Sequence, residues 1–169
     1  MRESNHRAKL RHNQTMSSST TKQIAVNKKA RHDYTLERTL EAGIELLGGE
    51  VKSIKAGEVS ISEAFVTIKA GEAFLSNCYV KPYQPKQGLE RDPTRPRRLL
   101  LHREELAKLV GEQQAHRRTV VPTKLYLKNG RIKVEIAVAS GKKQHDKRAD
   151  LKRREQEREA TAAVKRATR

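Results

Sequence analysis

The stretch from Thr119 to Ala139, TVVPTKLYLKNGRIKVEIAVA, carries the clearest fold signal in the chain. Its Asn129-Gly130 dipeptide is typical of a two-residue type I′ turn, and apolar residues alternate with polar residues on both sides of it. The stretch therefore predicts a β-hairpin whose strands run from Thr119 to Lys128 and from Arg131 to Ala139.

A two-residue turn also fixes the register of this hairpin. Lys128 then faces Arg131, and the next expected pairs are Leu127 with Ile132, Leu125 with Val134, and Thr123 with Ile136. One face collects the apolar side chains of Leu125, Leu127, Ile132, Val134, Ile136 and Val138. Burying each of them contributes roughly 1.5–3 kcal/mol before entropy is subtracted, which is enough to anchor a sheet to a core. The opposite face is expected to stay free for solvent or phosphate and carries Lys124, Tyr126, Lys128, Arg131, Lys133 and Glu135.

Further strands are predicted on the N-terminal side of the hairpin. A two-residue break at Glu41-Ala42 separates the first two strands, and Ala70-Gly71, a connection of hairpin length, separates the next two. The expected strands are Tyr34–Leu40, Gly43–Leu47, Ile61–Lys69 and Glu72–Val80.

Two helices and one long loop complete the predicted elements. Glu50–Lys55 predicts a single helical turn. A longer helix is predicted from His102 to His116, because apolar residues recur there at helical spacing and acidic residues in its first turn complement the helix dipole. Prolines and arginines between Lys81 and Arg98 predict a long, basic surface loop, from which Leu99–Leu101 leads into the helix.

These elements predict a mainly β fold, a small OB-like antiparallel β-barrel with one or two flanking helices. A closed barrel is the natural way to hide sheet edges in so few residues, and a plain α+β sandwich is the alternative. We expect a barrel domain over residues 23–140, a disordered basic extension over 1–22 and a basic tail over 141–169.

The charge balance points to a polyanionic partner. The 169 residues carry a net charge of +17, and +10 of this lies on residues 1–22 and 141–169. Nucleic acid is favoured over a membrane surface, because neither end has the apolar face that would enter a bilayer and no apolar run is long enough to cross one. The single cysteine, Cys78, excludes an internal disulfide, and we expect a cytoplasmic protein.

Catalytic and metal-binding patterns are weak in this sequence. None of the six histidines pairs with another at helical i, i+4 spacing, so no metal or other cofactor is expected. Glu41, Glu45 and Glu50 could supply an acid and a base, but charges on half-exposed strands are usually solvated or paired. We therefore predict a binding protein and not an enzyme.

Two basic clusters within the barrel domain are candidates for RNA contact. NKKARHDY places Lys28, Lys29, Arg31 and His32 beside an aromatic residue, although a solvated strand entry would have the same composition. RDPTRPRR presents Arg91, Arg95, Arg97 and Arg98 on a loop that its prolines stiffen.

The tail GKKQHDKRADLKRREQEREATAAVKRATR contains good helix formers but few apolar side chains. Too little can be buried to offset about 1–2 kcal/mol per residue of backbone ordering, so the free tail is expected to be disordered. Such a segment is suited to folding on an anionic partner such as RNA, and a solubilising arm is the simpler alternative.

Four segments together resemble the SsrA-binding protein family of bacterial trans-translation: NKKARHDY, EAGIELLGGEVKSIKAG, DPTRPRRLLLHREEL and GKKQHDKRADLKRRE. The resemblance implies an OB-like barrel that binds the tRNA-like part of transfer-messenger RNA (tmRNA), as a monomer on that RNA, and delivers it to stalled ribosomes. It places Glu41, Leu100 and His102 on the RNA-binding surface, with the NKKARH residues beside them. It also implies that the tail enters the vacant decoding site against small-subunit rRNA and continues as a helix in the mRNA path. The decoding-site residues would be Gly141, Lys142, Lys143, His145, Asp146, Lys147 and Arg148.

Two other classes of function remain compatible with the residues. A ribosomal or ribosome-associated protein would use its basic extension to bind rRNA. An RNA-processing enzyme would require His32 or His102 as acid or base.

Overall fold

The computed structural model describes residues 21–83, 92–115 and 118–142, together with residues 153, 156, 159, 160 and 162–164. Within these ranges the helices are α1 (Lys28–Asp33), α2 (Gly48–Lys55) and α3 (Arg103–Ala115). The strands are β1 (Thr21–Val26), β2 (Tyr34–Ile44), β3 (Val59–Ser60), β4 (Phe65–Lys69), β5 (Glu72–Ser76), β6 (Tyr79–Val80), β7 (Arg97–Leu100), β8 (Thr119–Lys128) and β9 (Arg131–Gly141).

Six of these strands close into a ring, which confirms the predicted mainly β, OB-like barrel. The order around the ring is β8, β4, β5, β7, β2, β9 and back to β8. Strand β1 pairs with the end of β8 near the turn, away from the position where β4 pairs with it. Every pairing is antiparallel, and β3 and β6 form a separate two-stranded sheet. Closure matters for the site, because it brings β7, which lies late in the chain, against β2.

The β8–β9 hairpin has the predicted turn and, near the turn, the predicted register. Lys128, Leu127 and Leu125 pair with Arg131, Ile132 and Val134. The predicted pairing of Thr123 with Ile136 is wrong, because the register shifts between Pro122 and Lys124 and Pro122 takes that partner. The extra residue is the mark of a β-bulge, and proline suits such a position because it has no N–H to give to the ladder.

The predicted break at Glu41-Ala42 is also wrong. The chain from Tyr34 to Ile44 is one strand, in which Glu41 pairs with Glu135 and Ala42 with Val134 of β9. Ala42 is completely buried, so the small residue that resembles a break is in fact a tightly packed barrel position.

Four elements of the described chain were not predicted from the sequence, among them the strands β1 and β3. The basic segment after Asn27 forms α1, and Arg97–Leu100 forms β7, so the long loop ends earlier than expected. The helices predicted at Glu50–Lys55 and His102–His116 are confirmed as α2 and α3, and the α3 start is capped by a hydrogen bond from the His102 N–H to Glu105 (3.0 Å).

The barrel interior is filled by one apolar cluster to which most strands and both longer helices contribute. Among its fully buried members are Ile54, Leu75, Leu109, Leu125, Val134 and Ile136. Cys78 packs into the same cluster, where burial raises the pKa of its thiol to about 11. The strands that carry the candidate site thus pack on one common core.

Candidate nucleic-acid interface

Three predicted site residues meet at one concave surface. Glu41 lies on β2, Leu100 ends β7 and His102 precedes α3, and all three line a depression of about 730 Å³. The pairing of Gly43 with Leu100 brings them together. The rest of the rim and floor is formed by Gly43, Ile44, Leu46, Val51, Leu101, Glu105, Gly130, Arg131, Ile132 and Lys133. We call this depression the β2–β7 concavity.

Leu100 is an apolar side chain held in solvent. It is 53% exposed, the largest exposed fraction among the bulky apolar residues of the described barrel. A Cβ atom on Gly43 would lie 3.1 Å from the Leu100 Cβ, closer than most real contacts. Glycine at position 43 therefore allows the two strands to approach closely and leaves the apolar Leu100 side chain exposed at the concavity.

The Glu41 carboxylate is fixed in place by two hydrogen-bond donors and one further cation. The Tyr126 hydroxyl donates to Glu41 Oε2 at 2.5 Å, the Lys128 ammonium donates to the same oxygen at 2.9 Å, and the Lys133 ammonium lies 3.7 Å from Oε1. The hydrogen bonds from Tyr126 and Lys128 lower the pKa of Glu41 against a small opposing effect of burial. An ionised acceptor therefore lies within a basic rim, and a carboxylate of this kind is able to accept a hydrogen bond from a base amino group.

Tyr126 corrects one sequence-based expectation. It was predicted on a face free for solvent, but it is only 6% exposed and its hydroxyl serves Glu41. Burial, then the hydrogen bond and charge of Glu41, raise the pKa of Tyr126 above its ordinary value of 10. The contact was missed because it depends on how β2 aligns against β9, which the hairpin sequence does not reveal.

This contact predicts a late tyrosine titration. Subtracting the tyrosinate absorbance of Tyr126→Phe from that of the unchanged chain should leave a signal that appears only above pH 10. In Glu41→Gln that signal should move to lower pH, because one of the groups that raise the pKa of Tyr126 is gone. A Tyr126 signal at the ordinary pH in the unchanged chain would contradict the arrangement.

The NKKARH residues lie at the other end of β2. Helix α1 directly precedes Tyr34, and Glu41 is seven residues further on, about 23 Å of extended strand. Lys28, Lys29 and Arg31 are exposed, although Lys29 pairs with Glu63 at 2.7 Å. The structure therefore separates this basic cluster from the concavity that the resemblance placed beside it.

Arg97 is corrected from an RNA contact to a structural residue. Its side chain is 1% exposed, and its guanidinium donates to Glu50 (2.9 Å) and to the carbonyls of Cys78 (2.6 Å) and Pro93 (2.9 Å). Arg95 binds the same Glu50 carboxylate through two nitrogens but remains partly exposed. No phosphate can reach the buried guanidinium, whereas Arg95 stays a candidate contact.

Part of the predicted site lies outside the described residues. Arg91 belongs to that part, as do Lys143, His145, Asp146, Lys147 and Arg148 of the tail. Gly141 ends β9 opposite Tyr34, and Lys142 follows it. The described tail residues further on, which include 153, 156 and 162–164, are helical and exposed.

The described residues contain neither a metal-binding cluster nor a membrane-spanning helix. No three His, Cys, Asp or Glu side chains among them come together in a way that could hold a metal ion. None of their helices is long and apolar enough to cross a membrane.

A closed barrel with a basic rim, a fixed carboxylate and an exposed leucine defines a small protein of the OB-like class, which commonly binds nucleic acid. Comparison with known proteins narrows the class. The sequence profile of the SmpB protein family matches residues 24–166. Similar proteins include the SsrA-binding proteins of Geobacillus thermodenitrificans and Persephonella marina, each 49% identical over 144 residues, which is 85% of this chain and 93% and 95% of theirs.

A solved structure extends the likeness to three dimensions. A chain from the work "tmRNA-SmpB: a journey to the center of the bacterial ribosome" matches with a TM-score of 0.60 and 43% identity, over 72% of this chain and 85% of that one. The chain belongs to the SmpB protein family, and the similar proteins named above are SsrA-binding proteins.

Proposed function

We propose that this chain is an RNA-binding adaptor of trans-translation that binds the tRNA-like part of tmRNA and brings it to stalled ribosomes. The observation that carries the proposal is the convergence of Glu41, Leu100 and His102 on the β2–β7 concavity. Its family membership supports the same role, since its relatives are SsrA-binding proteins and a similar structure is described as tmRNA-SmpB on the bacterial ribosome.

The concavity suits folded RNA better than a regular duplex. Sequence-specific RNA contacts are made mostly to loops and unpaired bases, because the major groove of A-form RNA is too narrow to read. In this proposal Leu100 packs against a base or ribose, the Glu41 carboxylate accepts a base amino group, and Arg131 and His102 face the sugar-phosphate backbone. Lys128 and Lys133 keep Glu41 ionised and oriented.

The opposite end of the barrel is proposed to face the ribosome. Lys28, Arg31 and His32 on α1 lie where β9 ends and the tail begins, so they would contact small-subunit rRNA near the decoding site. The tail residues from Lys143 to Arg148 would enter that site, while Gly141 and Lys142 would stay on the barrel beside β2 and α1. The remaining tail would lie as a helix in the vacant mRNA path. Anionic rRNA would then stabilise a segment with too few apolar side chains to fold alone.

The proposed role is binding and positioning, with no chemical step and no cofactor. The chain would act in the cytoplasm as a monomer bound to its RNA. Sequencing the RNA that co-purifies with the protein is the direct test: one abundant, stable, tRNA-like RNA is expected. If the protein is instead a stoichiometric part of salt-washed ribosomes without such an RNA, the alternative role as a ribosomal protein holds.

A single leucine should carry a measurable share of the affinity for tmRNA. Leu100→Ala is expected to weaken binding roughly ten-fold, because the apolar area that Leu100 buries against RNA contributes about 1.4 kcal/mol. Filter binding or fluorescence anisotropy with labelled tmRNA measures the change.

The matched control is another exposed leucine. Leu47→Ala removes a side chain that is 38% exposed and does not line the concavity, so it should leave the affinity unchanged. Equal losses in both variants would show that the concavity is not the RNA surface.

A further inference from the structure

The tail begins on the barrel at Lys142, which we call the tail root, and this residue is hydrogen-bonded to helix α1. The Lys142 N–H donates to the Asp33 carbonyl at 3.0 Å, and the Lys142 ammonium donates to the Arg31 carbonyl at 3.1 Å. Both acceptors belong to the last turn of α1, where helix carbonyls have no partner within the helix. One residue thus binds the helix end through its backbone and its side chain.

Helix α1 is itself fixed to the barrel by a buried residue. Asn27 is 2% exposed, and its side chain accepts a hydrogen bond from the Ala30 N–H (2.8 Å) and donates to the Ile61 carbonyl (2.9 Å). Its backbone N–H donates to the Thr123 carbonyl of β8 at 2.8 Å. Ala30 packs in a small apolar cluster with Val121 and Ala139.

We infer that Lys142 is a positioning residue, which clamps the start of the tail onto α1 and thereby sets the direction in which residues 143–169 leave the barrel. The inference rests on the proposed function, in which the tail enters the decoding site, and it gives Lys142 a role other than rRNA contact. Because the Lys142 ammonium donates to a helix carbonyl, it fixes the position of Lys142 and so orients the residues that follow it. A tail that starts in a fixed direction loses less conformational freedom when it binds.

The clamp can be tested on the free, full-length protein with two spin labels. One label replaces Lys55, an exposed residue at the end of α2, and the other replaces His145 in the tail. Cys78 is buried with a raised thiol pKa and is a poor labelling site. Lys142→Met should broaden the distance distribution between the labels, and Lys142→Arg, which keeps a donor, should restore it.

The matched control removes the same charge from the same end of the barrel. Lys28→Met lies on α1, is exposed and should leave the distribution unchanged. An equal width in Lys142→Met and the unchanged chain would overturn the clamp. Because no ribosome is present, this result does not depend on the proposed function.

The second readout separates positioning from phosphate contact. With tmRNA and stalled ribosomes, Lys142→Met should slow peptide tagging several-fold, while the slope of log affinity against log salt for ribosome binding stays the same. A fall in that slope of about 0.7, the value for one lost phosphate contact on a single strand, would show that Lys142 binds RNA directly and would contradict the inference. If the unchanged chain fails to support tagging at all, the proposed function fails and the spin-label result stands on its own.

Discussion

Replacing Glu50 with Gln is expected to lower the free energy of unfolding by about 3 kcal/mol, because the change leaves a buried arginine without its counter-ion. The Arg97 side chain is 1% exposed, and Glu50 is the carboxylate that neutralises it. The same carboxylate also accepts hydrogen bonds from Arg95 and from the Leu47 N–H (2.8 Å). Glutamine keeps the shape of the side chain but removes the charge that all three donors face.

A neighbouring ion pair supplies the matched control. Arg98 follows Arg97 on β7 and pairs with Glu72 at 2.7 Å, but both side chains are more than two-fifths exposed. Glu72→Gln should therefore change stability by less than about 1 kcal/mol. Urea unfolding followed by far-UV circular dichroism measures both variants, and equal effects would refute the buried role of Glu50.

The pH dependence of the same variants checks the cause. Burial alone would raise the pKa of Glu50, but the hydrogen bonds from Arg95 and Leu47 and the charge of Arg97 outweigh it and lower the pKa below its ordinary value of 4.5. A lowered pKa in the folded state means that the contribution of Glu50 is complete above about pH 4.5 and is lost as the pH falls through the folded value. The acid-induced loss of stability should thus be smaller in Glu50→Gln.

Removing the tail after Lys142 is expected to abolish peptide tagging on stalled ribosomes while leaving tmRNA affinity within about two-fold, or about 0.4 kcal/mol. The cut is placed after Lys142 because Gly141 still pairs with Tyr34 and Lys142 is bonded to α1. The β2–β7 concavity lies on the barrel, so it should remain intact. Gel-shift binding and a peptide-tagging assay measure the two activities.

A second variant, which keeps more of the tail, tests the two parts of the tail separately. A chain that ends at Arg148 keeps the proposed decoding-site residues but lacks the segment proposed for the mRNA path. If each part has its own role, this variant should still bind stalled ribosomes with tmRNA and yet tag poorly. Equal loss of tmRNA affinity and tagging in both truncations would refute the division between barrel and tail.

The parts of the fold that depend on residues close together in the sequence were predictable. The Asn129-Gly130 turn and the alternation around it gave the hairpin, and acidic residues in the first turn marked α3. The bulge near Thr123 was not predictable, because the alternation of apolar and polar residues does not show where the pairing of two strands shifts by one residue. The basic stretch NKKARHD was also ambiguous in sequence. It forms a helix because the buried Asn27 caps it, and Asn27 is held there by hydrogen bonds to β8 and to the Ile61 carbonyl.

The site was predictable in its members but not in its arrangement. The motifs named Glu41, Leu100 and His102, whereas barrel closure is what places β7 beside β2 and makes them neighbours. Arg97 and Arg98 look alike in sequence, yet the alternation of β7 buries Arg97, which binds Glu50, and leaves Arg98 exposed. Tyr126 was assigned to the correct face of its strand, but that face is covered there, and its hydroxyl is directed to Glu41.

The length of β2 has a consequence for how this chain can vary. The strand joins α1 and the tail root at one end to the β2–β7 concavity at the other, so its residue count sets the spacing between the two surfaces. One inserted or deleted residue would change that spacing by about 3.3 Å and would turn every following side chain to the opposite face. Substitutions at exposed positions such as Thr35 or Thr39 leave both quantities unchanged, so β2 should accept changes of residue far more readily than changes of length.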